Sequence, residues 1–164
     1  MLEEIEQDIT ANKLYYSPRL SPQGRQQYPE LLRNAVRNGS DQSLASELRA
    51  YGCLNATEER RKPTGGTTIA QVPVTAPETL AEGEFNRFYV RGLCRRAVAL
   101  GNDSVFVYRA KPVVNPRPES TALIGKSLPA KQLLEDLRIS TGTDTVLGLP
   151  PGPNSGLSVK LAEA

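Results

Sequence analysis

The segment from residue 57 to residue 79 restricts the fold most, because its composition excludes a continuous helix. Pro63, Pro73 and Pro77 lack the backbone N–H that a helix interior needs, and Gly65-Gly66 supplies a hinge. The residues before the first proline are mostly charged, which is typical of a solvated stretch. This segment is therefore predicted to separate two structured parts of the chain.

Three regions follow from this boundary within the 164 residues. We predict a helical N-terminal region over residues 1–56, an extended linker or arm over residues 57–78, and an α+β domain over residues 79–164. Hydrophobic residues make up 38% of the chain and aromatic residues 5%, and tryptophan is absent. The core is therefore expected to rest on aliphatic side chains.

Helix-start signals and apolar periodicity mark the helices of the N-terminal region. An amphipathic helix is predicted over residues 2–14. Another begins at Ser21-Pro22, where a capping residue precedes proline at the first helical position. Residues 30–38 and 41–51 then form a predicted αα-hairpin, in which Ser40 caps the second helix.

Helix and strand patterns alternate in the C-terminal region. The strongest helix pattern covers residues 79–100, and a β-strand pattern follows over residues 104–111. Another helix is predicted to start at Pro129, and short strands are predicted over residues 145–149 and 157–161. This order favours an α+β fold with the central helix packed on a short β-sheet.

The central helix is predicted to bury one broad apolar face. The residues that share this face are Phe85, Phe88, Tyr89, Leu93, Ala97 and Leu100. Arg96 falls inside the same face. Because an unpaired buried guanidinium is very costly, Arg96 is predicted to be buried and paired with a carboxylate or with backbone carbonyls.

Three arginines of the central helix form a candidate interaction surface. Arg87, Arg91 and Arg95 are four residues apart and so line one side of the helix. They are interpreted either as a stripe that contacts acidic or phosphate groups of a partner, or as a solvated helix face. An acidic N-terminal helix in the same chain would suit head-to-tail contact between copies. Little supports nucleic acid as the partner, because the net charge is only +2 and aromatic residues are scarce.

The residue types of the chain argue against catalysis. Histidine is absent, which removes the commonest general base and most zinc chemistry. The two cysteines do not form a CxxC pair, and no spacing places two carboxylates as metal ligands on one element. We therefore expect no catalytic residues, no cofactor and no bound metal, and a protein that is not an enzyme. The sequence also lacks a signal peptide and a long apolar run, so it is expected to be neither secreted nor membrane-bound.

The arm carries a second candidate interaction surface. Ile69, Val72 and Val74 place apolar side chains along a segment that is too irregular for a helix. Such a segment is suited to adding a strand to an existing sheet edge. Residues 60–78 are therefore predicted either to cross onto another chain or to pack along the main domain as an edge strand.

Parts of the C-terminal half resemble a known group of proteins. The stretch from Gly66 to Arg96, the stretch Asn115–Ser120 and the tail Gly148–Leu161 are similar to segments of small uncharacterised structural proteins encoded by tailed bacteriophages and prophages. The resemblance covers residues about 66–161 and brings no site residues with it. It implies a virion component made in the host cytoplasm, either capsid-associated or a head-to-tail connecting protein. Its implied partners are copies of itself and a capsid or portal-type protein, and the alternative is a nucleic-acid-associated regulatory or packaging protein.

Overall fold

The computed structural model describes residues 1–141 and 155–161. The elements in chain order are α1 (Leu2–Thr10), α2 (Pro22–Asn38), α3 (Asp41–Ala50), β1 (Thr57–Arg61), β2 (Thr67–Gln71), α4 (Ala76–Ala99), β3 (Ser104–Arg109), α5 (Pro118–Leu123), β4 (Ser127–Pro129), α6 (Ala130–Ile139) and β5 (Leu157–Lys160). This arrangement confirms the predicted α+β class. The predicted strand over residues 145–149 lies outside the described residues.

The chain divides into two compact units that interleave in sequence. One unit comprises Met1–Tyr15 and Gly83–Ala164, and the other comprises Tyr16–Glu82. This division differs from the predicted boundaries at residues 57 and 79. The first helix belongs with the C-terminal part of the chain, and the predicted linker belongs to the unit that contains α2 and α3.

The unit of residues 16–82 begins with two capped helices that pack against each other. Ser21 caps α2, since its Oγ accepts a hydrogen bond of 3.0 Å from the N–H of Gly24. Ser40 caps α3 and forms a capping box with Ser43. Both helix starts were predicted from the sequence. Gly24 lies directly against the carbonyl of Cys53, so a methyl group at this position would overlap that oxygen.

The segment after α3 folds into a β-hairpin on its own. β1 and β2 are antiparallel, and Glu59 and Ile69 lie opposite each other at the centre. Gly65 and Gly66 form the turn with positive φ angles of 92° and 76°, a region that favours glycine. The prediction that this segment packs along the main domain as an edge strand is wrong. β2 pairs with β1, because the glycine turn lets the charged run before it fold back as a partner strand.

The other unit has a three-stranded antiparallel sheet in the order β4-β3-β5. Its core lies between this sheet, α4 and α6, and is almost entirely aliphatic. The fully buried members are Val90, Cys94, Ala97, Val105, Ala130, Leu133, Leu137 and Val159. This core confirms that the central helix packs on a short β-sheet. Asn86 of α4 also donates a 2.9 Å hydrogen bond to the carbonyl of Leu157 in β5.

The rotational phase predicted for α4 is wrong. Phe88 and Ala97 are buried as expected, but Leu100 and Arg96 are exposed. The predicted burial of Arg96 therefore fails. The buried side of α4 passes instead through charged residues, which apolar periodicity could not identify.

The close contact at Gly24 gives a stability prediction. We expect Gly24→Ala to destabilise the protein by about 1–3 kcal/mol, because the added methyl group must displace backbone atoms of Cys53. Urea unfolding followed by circular dichroism measures this loss. The control Gln26→Ala, at an exposed position of the same helix, should change stability by less than about 0.5 kcal/mol. Equal stabilities of the two variants would show that the helix does not lie this close to Cys53.

Candidate functional site

The unit of residues 1–15 and 83–164 contains a buried network of charged side chains, here called the ionic network. Its members are Glu4 and Asp8 of α1, Glu84, Arg87 and Arg91 of α4, and Arg138 of α6, with Arg95 and Glu3 at its exposed side. Charge is rarely placed in a protein interior unless it is paired. The network is therefore the main candidate for a specific role inside this unit.

Arg91 is the centre of the ionic network, and its side chain is 0% exposed. Its Nη1 and Nη2 donate to the two carboxylate oxygens of Asp8 at 2.6 and 2.8 Å, and its Nε donates to Glu4 at 3.0 Å. The guanidinium also lies 4.9 Å from the ring centroid of Phe88. The planar fork of the guanidinium suits this two-pronged contact, which a lysine could not reproduce.

Glu4 joins three helices. Besides Arg91, it accepts hydrogen bonds from Arg138 of α6 at 2.6 and 3.0 Å and lies 3.4 Å from Arg95. Burial raises the pKa of this carboxyl, but the hydrogen bonds from Arg138 and Arg91 outweigh burial and lower the pKa below its ordinary value. Glu4 is therefore held as a carboxylate between its arginine partners.

For Glu84, in contrast to Glu4, the effect of burial on the pKa outweighs that of the neighbouring arginines. Its side chain is buried one helical turn before Arg87, with 3.4 Å between Oε1 and the Nε of Arg87, and its Oε2 has no hydrogen-bond partner in the described chain. Desolvation raises the pKa of Glu84 to about 7, because the attraction of Arg87 and Arg91 compensates only part of it. Arg87 directs its Nη1 to the carbonyl of Leu137 at 3.0 Å.

The structure thus places the predicted arginine stripe largely in the interior. Arg87 and Arg91 are buried, so neither the solvated-face interpretation nor contact with a partner applies to them. Arg95 remains half exposed and pairs with Glu3 at 2.8 Å. The stripe does face acidic groups, as one interpretation proposed, but these groups belong to the same chain. Arg91 and Arg95 pair with residues of α1, and Arg87 lies next to Glu84 of its own helix.

The second candidate surface is the β1–β2 hairpin of the other unit. One of its faces is anchored by Glu58, which accepts hydrogen bonds from Arg19 at 2.6 and 3.1 Å and from Arg60 at 2.7 Å. These hydrogen bonds lower the pKa of Glu58. The opposite face carries Ile69, whose side chain is 70% exposed although it is large and apolar.

The other predicted arm residues follow the hairpin. Val72 is half-buried, and its N–H donates a 3.0 Å hydrogen bond to the carbonyl of Ala56, which extends the ladder by one pair. Val74 is 85% exposed. Ile69 and Val74 are therefore accessible, and Val72 serves the hairpin itself.

The main partners of the arginine stripe were missed by sequence reasoning. Glu4 and Asp8 are four residues apart, which matches the spacing of Arg87, Arg91 and Arg95. The absence of any base among the first ten residues was a second signal. Together these could have indicated two helices paired along complementary stripes. Glu84 and Arg138 gave no comparable signal.

Comparison with known proteins identifies no relative, since no family model, curated protein or solved structure matches the chain. Among residues 1–141 and 155–161, no three His, Cys, Asp or Glu side chains come together in a way that could hold a metal ion. No helix in the described part of the chain is long and apolar enough to cross a membrane.

Removal of Arg91 tests the ionic network. We expect Arg91→Ala to destabilise the protein by about 3–5 kcal/mol, because it leaves the Asp8 carboxylate buried without its partner. Arg96→Ala, at an exposed position of the same helix, should cost less than about 0.5 kcal/mol. Urea unfolding of both variants measures the difference. A small loss for Arg91→Ala would mean that the guanidinium is solvated.

Glu84 predicts how stability depends on pH. Because the folded state holds its proton more tightly than the unfolded state, its contribution is full below about pH 4.5 and is lost as pH rises through about 7. Glu84→Gln should remove this loss, so the variant gains stability relative to the wild type between pH 5 and pH 8, by on the order of 3 kcal/mol at most. Thermal unfolding across this pH range measures it. Parallel pH profiles for the two proteins would contradict the assignment.

Proposed function

We propose that this chain is a non-enzymatic structural subunit of a multi-subunit assembly and that the β1–β2 hairpin is its main contact surface. The observation that carries the proposal is the exposed apolar side chain of Ile69 on a strand that, among residues 1–141 and 155–161, pairs with another strand along one edge only. Exposed edge strands are ready templates for pairing with another chain, and soluble proteins usually protect them. An unprotected edge with an apolar residue at its centre fits a binding role.

The hairpin suits strand addition because it is already ordered. Its glycine turn and the Arg19–Glu58 pair hold the strands in place. A partner strand would then lose only its own conformational freedom on binding, which favours affinity. Ile69 would contribute about 1.5–3 kcal/mol on full burial.

The ionic network bears on whether copies of the chain assemble through α1 and α4. An acidic α1 and a basic α4 were expected to join different copies head to tail. These charges are neutralised within one unit, so they leave little net attraction for a partner. Self-assembly through α1 and α4 is therefore not part of the proposal.

The specific assembly that we propose is a bacteriophage virion. The support is the resemblance of residues about 66–161 to structural proteins of tailed phages, since the resembling stretch from Gly66 includes β2. A capsid or portal-type protein and further copies of this chain would be the partners. The competing function is a nucleic-acid-associated packaging or regulatory protein.

Exchange of the hairpin tests this function. Residues 57–71 are replaced by a Gly-Ser linker of equal length, and residues 112–117 are replaced in the same way as a control. The wild type and the control should co-sediment with particles purified from its native source, and the hairpin variant should remain in the slow fraction. Circular dichroism checks that the helices persist.

Two outcomes would contradict the proposal. One is an unchanged distribution of the hairpin variant, which would exclude the hairpin as the contact surface. The other is release of the wild type from the fast fraction by nuclease, with binding that weakens steeply as salt rises. That second result would favour the nucleic-acid function.

A further inference from the structure

The two edges of the hairpin differ in charge. β1 has the sequence TEERR, in which four of the five residues are charged, and β2 has the sequence TTIAQ, in which none is. Charged residues on an edge strand discourage pairing with other chains. The edge of β1 is therefore protected by its charges, whereas that of β2 lacks such charges and has no second partner strand in the described part of the chain.

The backbone groups that β2 presents can be assigned from the hydrogen bonds at the two ends of the hairpin. The N–H of Val72 donates to Ala56, and the N–H of Lys62 donates to Gly66, each at 3.0 Å. Antiparallel pairs alternate between bonded and non-bonded, so the bonded pairs include Glu58 with Ala70. The N–H and C=O groups of the alternate residues in β2 therefore point outward, and these residues are Thr67, Ile69 and Gln71.

This outward set is complementary to itself under a two-fold rotation centred on Ile69. In an antiparallel pair of β2 strands, Ile69 lies opposite Ile69 of the second copy, and Thr67 lies opposite Gln71. Each of these pairs exchanges two backbone hydrogen bonds, so every outward group of the strand finds a partner. The Gln71 carbonyl already accepts a 3.3 Å hydrogen bond from Arg60, but a carbonyl oxygen has a second lone pair.

Side chains support the same register. Residues opposite each other in a bonded pair lie about 5.5 Å apart at Cα and on the same face, so the two Ile69 side chains would cover each other. Pairing of β1 with β1 about its own centre would instead place Glu59 opposite Glu59, and like charges in this position are unfavourable. The charge pattern thus selects one edge.

We propose that two copies of this chain associate through β2 in this symmetric register, forming a four-stranded sheet in the order β1-β2-β2-β1. The inference rests on the proposed structural function and names the first partner as a second copy. The symmetric contact uses the same surface on both copies, so it closes at a dimer and leaves the charged β1 strands at both outer edges. The dimer would be the unit that enters a larger assembly.

The test uses the full chain in analytical ultracentrifugation. The wild type should sediment as a dimer at high protein concentration and dissociate on dilution. Ile69→Lys should remain a monomer, because it places two ammonium groups side by side at the two-fold axis. The control Glu59→Lys changes the same face on the opposite strand and should keep the dimer. A monomeric wild type, or a dimer that survives Ile69→Lys, would overturn the proposal.

A charge pair tests the register itself. Ile69→Glu alone should also be monomeric, and an equal mixture with Ile69→Lys should restore a heterodimer in native mass spectrometry. If the wild type dimerises and the mixture does not, the register centred on Ile69 is wrong.

Amide exchange in the wild type gives a readout that needs no variant. The N–H groups of Thr67, Ile69 and Gln71 should become protected only at concentrations where the dimer forms. Those of Thr68 and Ala70 bond to β1 and should be protected at every concentration, whereas that of Glu59 should exchange rapidly throughout. Protection of Ile69 that does not change with concentration would contradict the dimer.

These outcomes separate the dimer from the proposed function. Suppose that the wild type is monomeric but co-sediments with particles, and that the variant with residues 57–71 replaced does not. The symmetric dimer is then wrong and the structural function stands. If the chain dimerises through β2 but never enters particles, the dimer stands and the structural function fails.

Discussion

Burial of the Arg91 guanidinium is the constraint on which the unit of residues 1–15 and 83–164 depends. A buried cation without a partner costs several kcal/mol, and no carboxylate on its own helix accepts a hydrogen bond from it among the described residues. Glu4 and Asp8 supply that charge from more than 80 residues earlier in the chain. The first helix must therefore pack with the second half of the sequence, which explains why the units interleave.

Among the described residues, local signals were enough to predict every helix except α5, together with the strands β3 and β5, whereas β1 and β4 were not predicted. Ser21 and Ser40 cap helices because their hydroxyls accept a hydrogen bond from a backbone N–H three residues later, which depends only on neighbouring sequence. The phase of α4 could not be predicted in this way. Apolar periodicity assumes that charged residues face solvent, and α4 buries Arg87 and Arg91 while exposing Arg96. The phase prediction failed because carboxylates distant in sequence, Glu4 and Asp8, allow Arg91 to be buried, whereas an arginine usually faces solvent.

The hairpin shows a related difficulty on a smaller scale. Its first strand carries four charges in five residues, which composition alone assigns to a solvated loop. β-strand propensity is weak evidence at such positions, because pairing with a neighbour decides the structure. Here Gly65 and Gly66 bring the chain back at a fixed register, and the uncharged Thr67–Gln71 segment becomes that neighbour.

The anchoring of Glu58 decides which face of the hairpin is exposed. Side chains alternate along a strand, so the contacts of Glu58 with Arg19 and Arg60 place every even-numbered β1 residue on the anchored face. Ile69 pairs with the odd-numbered Glu59 and must therefore lie on the opposite face. A shift of one residue in the pairing would turn β2 over and hide Ile69 on the anchored face. The exposed isoleucine thus follows from two constraints: the Glu58 contacts set the face of β1, and the glycine turn sets the register of β2 against it.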